Sequence, residues 1–320
     1  MKLMEIFKKQ GGFTLLKNYW RTGALFPAII TFLLLGKSRK ALEILRLVAQ
    51  FKINKKLYKM YAHKVDDLLE KYKNENSKMD THLFTRRIYF CWFQGLDNAP
   101  EVIKKCYASL QEHITDREIL LITEENYREY VTFPKFIEDK FQRGIITRTH
   151  FSDLLRLELL TRYGGTWIDA TVLCTATPPA YMLDSDMFLF QLLKPGLDGH
   201  VLGFNNWFIT AKPNALILCL TLDLLYEYWK KHNVLWDYFL LHQLTEIIKE
   251  KCPDEWKKIV PFSDEIPHIL LLRLFDTYDE DIWQAIKQQT PFHKLSYKFT
   301  ESDFSKDNTY YNAIIRSNDE

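Results

Sequence analysis

The sequence predicts an α/β fold: a mostly parallel sheet flanked by helices, preceded by a basic helical extension. Three observations carry this. After residue 80 the text alternates between short β-branched or aromatic runs and segments with apolar residues at helical spacing. Before it, "KALEILRLVAQFKINKKLYKMYAHKVDDLLEKY" shows helical periodicity with lysines between the apolar positions. Between the two lies "KNENSKMDTH", a polar stretch that suits a boundary. The expected organisation is therefore an N-terminal helical segment over 1–80 and a catalytic-type α/β domain over 81–320.

In chain order, "RRIYFCWFQG" reads as a first strand and its exit loop. "APEVIKKCYASLQEH" reads as a helix with Pro100 near its start, and "REILLIT" as a second strand. "SDLLRLELLTRYGG" reads as a helix with Ser152 as N-cap and the pair Gly164-Gly165 at its end. "TWIDATVLCT" reads as one further strand, followed by strands in "DMFLFQ" and "HVLGFNNWFITAK". Helices are expected around 214–231 and 236–251, and "PFHKLSYKF" is extended. In such sheets ligands sit beyond the carboxyl ends of the strands, so the exit of the first strand and the segment Asp169–Thr171 are candidates for one shared site.

Composition narrows the class. The chain has 320 residues, 47% hydrophobic and 26% charged, which is globular. The aromatic content of 15% suits stacking on bases and sugars as well as a large core. Net charge is only +2, but the first 73 residues hold sixteen Lys/Arg against five Asp/Glu, leaving the remainder at −9. The basic part meets something anionic. A phospholipid surface is the favoured partner, because Lys17, Arg21, Lys37, Arg39 and Lys40 flank the apolar run Ala24 to Gly36. That run is shorter than the roughly 20 residues a spanning helix needs. It is interfacial, or a buried helix of the extension. Nucleic acid is set aside for want of a recognisable binding module. Cys91, Cys106, Cys174, Cys219 and Cys252 are odd in number and widely spaced, which argues for a reducing, cytoplasmic compartment and against a disulfide framework.

The stretch "SDLLRLELLTRYGGTWIDAT", 152–171, resembles the core motif of glycosyltransferase family 32 and its capsular-polysaccharide-synthesis branch. The wider pattern is S-D-x-x-R, a short helix, then G-G-x-Y-x-D-x-D. "YFCWFQG", "NNWFITAKPN" and "HKLSYK" resemble the opening strand, the acceptor-side strand and the end motif, so the resemblance spans about 85 to 300. It implies a GT-A fold. It also implies a retaining transferase that moves a hexose, glucose or galactose, from a UDP-sugar to a lipid-linked saccharide acceptor in capsule or exopolysaccharide assembly. The protein would then lie peripherally on the inner face of the cell membrane. The alternative is a catalytically idle sugar-nucleotide-binding or scaffold protein.

Residue roles follow from the same match. Asp153 and Arg156, three apart on one helix face, would take donor sugar hydroxyls and phosphate. Asp169 would be catalytic and would hold Mn²⁺ or Mg²⁺, with Thr171 standing where the family carries a second aspartate. His293 is a further metal candidate. Trp92 would stack on the base, or simply be buried. Gly165, Trp167, Asn206 and Lys294 complete the donor set, Trp167 occupying the family's Tyr position. Asn205 breaks the same apolar strand as Asn206. Asp237 and His242 are candidates for the acceptor side. No paired carboxylates bracket a reacting centre, which points away from a double-displacement nucleophile.

Overall fold

The computed structural model describes residues 12–75, 85–194 and 200–316. Most of the polar stretch 73–82, the expected boundary, lies outside the described residues.

Three helices open the chain: α1 (Gly12–Thr22), α2 (Leu25–Leu35) and α3 (Arg39–Glu75). Pro27 falls in the first turn of α2, where its missing N–H costs no helical bond. The 37 residues of α3 make a rod of about 55 Å. Ala49, Ile53, Leu57, Tyr61 and Val65 recur every fourth residue along it and are fully buried. This stripe packs against α6 (Leu216–Lys231) and α7 (Leu240–Lys251), in one core with the helices of the α/β part.

The central sheet has the order β2-β1-β3-β6-β5, with β1 Arg87–Cys91, β2 Glu118–Ile122, β3 Gly165–Asp169, β5 Met187–Gln191 and β6 Phe204–Ala211. β1 runs parallel to β2 and β3, and β6 runs antiparallel to β3 and β5. Four of the five strands therefore point the same way. Strand alternation divides the core. Tyr89, Trp167, Leu189 and Ile209 face one layer, with the N-terminal helices, α5 (Arg148–Tyr163), α6 and α7. Ile88, Phe90, Ile168, Phe188 and Phe208 face the other, with α4 (Glu101–His113) and the C-terminal segments.

Three local expectations change. The helix read from Ser152 begins earlier, at Arg148, capped by Thr147, whose side chain accepts from the His150 amide. Ser152 lies inside it and its hydroxyl donates to the Thr149 carbonyl. The single strand read over "TWIDATVLCT" is two. β3 ends at Asp169, the chain turns at Ala170–Thr171, and β4 (Val172–Cys174) pairs antiparallel with β7 (Phe292–Lys294) in a separate ribbon. The last large helix starts at Leu240 rather than 236, because Asp237 accepts from the Phe239 amide and closes a turn just before it.

The glycine pair does what its backbone requires. Gly164 has φ of 67° and ends α5, and Gly165 has φ of 102° and opens β3. A Cβ on Gly165 would stand 2.6 Å from the Arg87 carbonyl. The helix can thus reverse directly into the strand that delivers Trp167 and Asp169.

Candidate functional site

Because β1 and β3 are parallel and in register, Cys91 and Asp169 lie side by side at their carboxyl ends. A cleft of about 410 Å³ opens beyond them, a size usual for small-molecule sites, roughly 300–1,000 Å³. Its walls include Trp92 from the β1 exit, Asp153 and Arg156 from α5, Trp167 and Asp169 from β3, Thr171 from the turn, Asn206 from β6 and Lys294 from β7.

Arg156 is the hub. Its guanidinium is buried and lies 3.2 Å from an Asp153 oxygen and 3.5 Å from Asp169 Oδ1. It also donates to the Asn206 carbonyl and, at 3.3 Å, to the Ser152 carbonyl. Its plane sits 4.8 Å over the Trp167 ring, an arrangement that suits the flat, weakly hydrated guanidinium. Trp167 is itself almost fully buried and donates its indole N–H to Asp169 Oδ1 at 3.0 Å. It therefore positions both charged groups and offers a ligand little surface.

Asp153 is buried beside Arg156. His150 Nδ1 stands 3.4 Å from it, and the Asn206 amide donates to it at 2.9 Å. Burial pushes its pKa up, but Arg156 and His150 outweigh that and hold it below the usual carboxylate range. It remains an acceptor for hydroxyl groups across neutral pH. Trp92 is partly open and meets Tyr297 edge-on, with ring centroids 5.2 Å apart. That leaves an aromatic wall on which a flat ring could stack.

Other candidates fall elsewhere. Gly165 begins β3, at the end of the strand opposite Asp169, and its role is the turn. Asn205 faces away from Asn206 by strand alternation and donates to Asp264 at 2.5 Å. His293 is fully buried one residue from Lys294 on the other side of β7. Its Nε2 lies 3.0 Å from the Thr175 hydroxyl, and its ring packs on Trp283. Burial lowers its pKa to about 4. Asp237 is half-buried outside the cleft lining, and desolvation pushes its carboxyl up. His242 does line the cleft. Its two ring nitrogens have no hydrogen-bond partner among the described residues, and burial lowers its pKa to about 4, so it is neutral at pH 7.

Sequence reading missed Tyr238, Tyr297, Arg148 and Lys298, all in the cleft wall. Tyr238 comes on a loop tied to the N-terminal helices: Asn18 donates to the Leu235 carbonyl at 2.6 Å, and Lys56 sits 5.1 Å over the Trp236 ring. No sequence spacing encodes that approach. Lys298 and Tyr297 were legible only as part of the end motif "HKLSYK". Cys91 also lines the cleft, but burial raises its thiol to about 12, which leaves it a poor nucleophile.

Among the described residues the free protein presents no ready-made divalent-cation site. Among the described residues no group of three or more His, Cys, Asp and Glu is placed to hold a metal. Asp169 is the one carboxylate at the strand ends, and both its oxygens already face cations: Oδ1 faces Arg156, and Oδ2 stands 3.5 Å from Lys294. The Thr171 hydroxyl accepts from Lys294. His293, expected as a ligand, points into the core.

Arg156, Lys294, Lys298 and Arg148, the last paired with Glu124 at 2.7 Å, thus line a cleft with two carboxylates and an aromatic wall. A cleft of this size and mixed charge is the candidate functional site. In comparison with known proteins, residues 37–314 match the family described as capsular polysaccharide synthesis protein. The chain belongs to this family. The match begins inside the N-terminal helices, well before the point near residue 85 from which the sequence resemblance could be traced. A search of curated proteins finds no match. One solved structure, titled PaToxG Glycosyltransferase, aligns over 81% of this chain and 96% of that one, at 14% identity and a TM-score of 0.36. A likeness at that level supports no assignment.

Proposed function

We propose that this protein is a glycosyltransferase of capsule assembly. It would move a hexose, glucose or galactose, from a UDP-sugar to a lipid-linked saccharide, with retention at the anomeric carbon. The observation that carries the reading is the Asp153–Arg156–Asp169 cluster at the strand ends in a member of a capsular polysaccharide synthesis family.

In this reading the donor's base stacks against Trp92 and its diphosphate meets Arg156 and Lys294. Asp153, kept ionised, accepts from sugar hydroxyls. The bond from the anomeric carbon to the phosphate oxygen breaks as the acceptor oxygen bonds to that carbon. The acceptor proton passes to the departing diphosphate, whose charge the two cations stabilise. Neither the buried Cys91 thiol nor Asp169, paired through both oxygens, is placed as a free nucleophile, which favours this same-face route. Positioning and charge stabilisation are the main contributions. Asp169 holds Arg156, Lys294 and the Trp167 indole in place, so Asp169→Asn should abolish released-nucleotide turnover while leaving thermal unfolding unchanged; full activity in that variant would defeat the assignment.

The proposed place of action is a membrane surface. No described helix is long and apolar enough to cross a membrane. Among the described residues, twelve of the twenty exposed large apolar side chains nevertheless fall between Phe13 and Phe51, including Trp20, Phe26, Ile30, Leu33, Leu34, Ile44 and Leu47. A patch this concentrated, next to Lys17, Arg21, Lys37, Arg39 and Lys40, suits an anionic bilayer. The stripe that α3 buries belongs to the shared core, so the clean test is substitution on the surface rather than truncation. Leu33→Glu/Leu34→Glu should release the protein from phosphatidylglycerol-containing vesicles in a sedimentation assay. Equal binding by wild type and variant would remove the membrane reading.

A further inference from the structure

Asp169 and Thr171 stand where the resemblance leads one to expect a metal, and the group between them is an ammonium. β4 and β7 pair so that Val172 is opposite Lys294, and the Leu295 amide donates to the Thr171 carbonyl at 2.8 Å. That register is fixed by backbone bonds, and it projects Lys294 into the cleft while its neighbour His293 is fully buried. Lys294 Nζ donates to the Thr171 hydroxyl and lies 3.5 Å from Asp169 Oδ2. Across the same carboxylate, Arg156 stands 3.5 Å from Oδ1.

We infer that Lys294, with Arg156, supplies the positive charge at the donor's diphosphate in this protein, and that donor binding needs no divalent cation. The inference rests on the reading of the cleft as a nucleotide-sugar site. The chemistry is complementary. An aspartate in the second position would add a charge that calls for a metal. A threonine there adds a neutral acceptor that orients an ammonium. Thr171 and Lys294 together put a fixed monovalent cation where an exchangeable divalent one is expected. The remaining third of the ammonium's donor capacity can be turned to a phosphate oxygen, which accepts charge-assisted bonds. A hard divalent cation could take phosphate and water oxygens, but the one carboxylate available to anchor it at the strand ends is already held between two positive groups.

The test is calorimetric titration of the full chain with UDP and GDP, each in EDTA and in Mn²⁺. The expected result is one of these nucleotides binding with the same affinity in both buffers. Lys294→Met should weaken that binding in EDTA by about tenfold or more. Thr171→Asp/Lys294→Met should bind only when Mn²⁺ is present, a gain that a merely structural lysine would not produce. Wild-type binding that is lost in EDTA and restored by Mn²⁺ would overturn the inference and leave the nucleotide-sugar reading standing. Lys294→Met binding as tightly as wild type in EDTA would also overturn it. Binding of neither nucleotide in either buffer would overturn the nucleotide-sugar reading and the inference with it.

Discussion

Arg156→Lys is the substitution that most sharply separates geometry from charge. Lysine keeps the positive charge beside Asp153 and Asp169, so neither carboxylate is left without a counter-ion. What goes is the fork. Arg156 reaches Asp153 at 3.2 Å, Asp169 at 3.5 Å and the Asn206 and Ser152 carbonyls from one rigid plane. A single ammonium with tetrahedral donors cannot meet partners on α5, β3 and β6 together. Two of these contacts should be lost, at least one of them to a charged group. Hydrogen bonds involving charged groups contribute about 1.5–3 kcal/mol each, so the combined loss is about 3 kcal/mol. If it is felt in the transition state, kcat/KM for donor turnover falls roughly a hundredfold. The assay is released nucleotide under single-donor conditions, paired with thermal unfolding. A variant that keeps kcat/KM within about threefold of wild type would refute the view that the planar fork organises the cleft.

Other outcomes follow from the same contacts. Trp167→Phe keeps a ring beneath Arg156 but removes the indole donor to Asp169, so kcat/KM should drop about tenfold, and the cavity left at this buried site should lower the unfolding midpoint by a few degrees; unchanged turnover would mean that Asp169 is held by its cations alone. Acid stability should depend on His293. Its pKa is about 4 in the fold and 6.5 when exposed. Above pH 6.5 it is neutral in both states and contributes nothing. As pH falls from 6.5 to 4, the unfolded chain takes a proton the folded chain refuses, which destabilises the fold by about 3 kcal/mol. His242, lowered by burial to about 4 in the same way, adds a similar dependence, so His293→Gln should roughly halve the slope of that part of the curve in urea unfolding at stepped pH, and parallel curves for variant and wild type would contradict it.

Much of the architecture was legible because periodicity reports burial. β1, β2, β5 and β6, the long α5 and the shared exit of β1 and β3 all follow from which faces must be hidden. Asp153, Arg156 and Asp169 were legible through a long contiguous motif, and strand alternation correctly separates Asn206 from Asn205 once the strand's facing is known. What one chain read linearly does not carry is pairing between distant segments. The break at Ala170–Thr171 depends on β7, more than a hundred residues on, offering β4 a partner. The same pairing decides that Lys294 enters the cleft and His293 does not, and that choice turns an expected metal ligand into a core residue. The N-terminal helices show the same limit. Their amphipathic pattern is plain, yet only packing shows α3 in the core of α6 and α7, and the loop bearing Tyr238 held by Asn18 and Lys56.

The central claim is that the cleft at the ends of β1 and β3 binds and turns over a nucleotide sugar. Its most direct test is nucleotide release by the full-length protein from a panel that includes UDP-glucose and UDP-galactose, run beside Asp169→Asn. The account predicts release from at least one UDP-hexose and loss of that release in the variant. Release from none of the donors, or equal release by the variant, would contradict it.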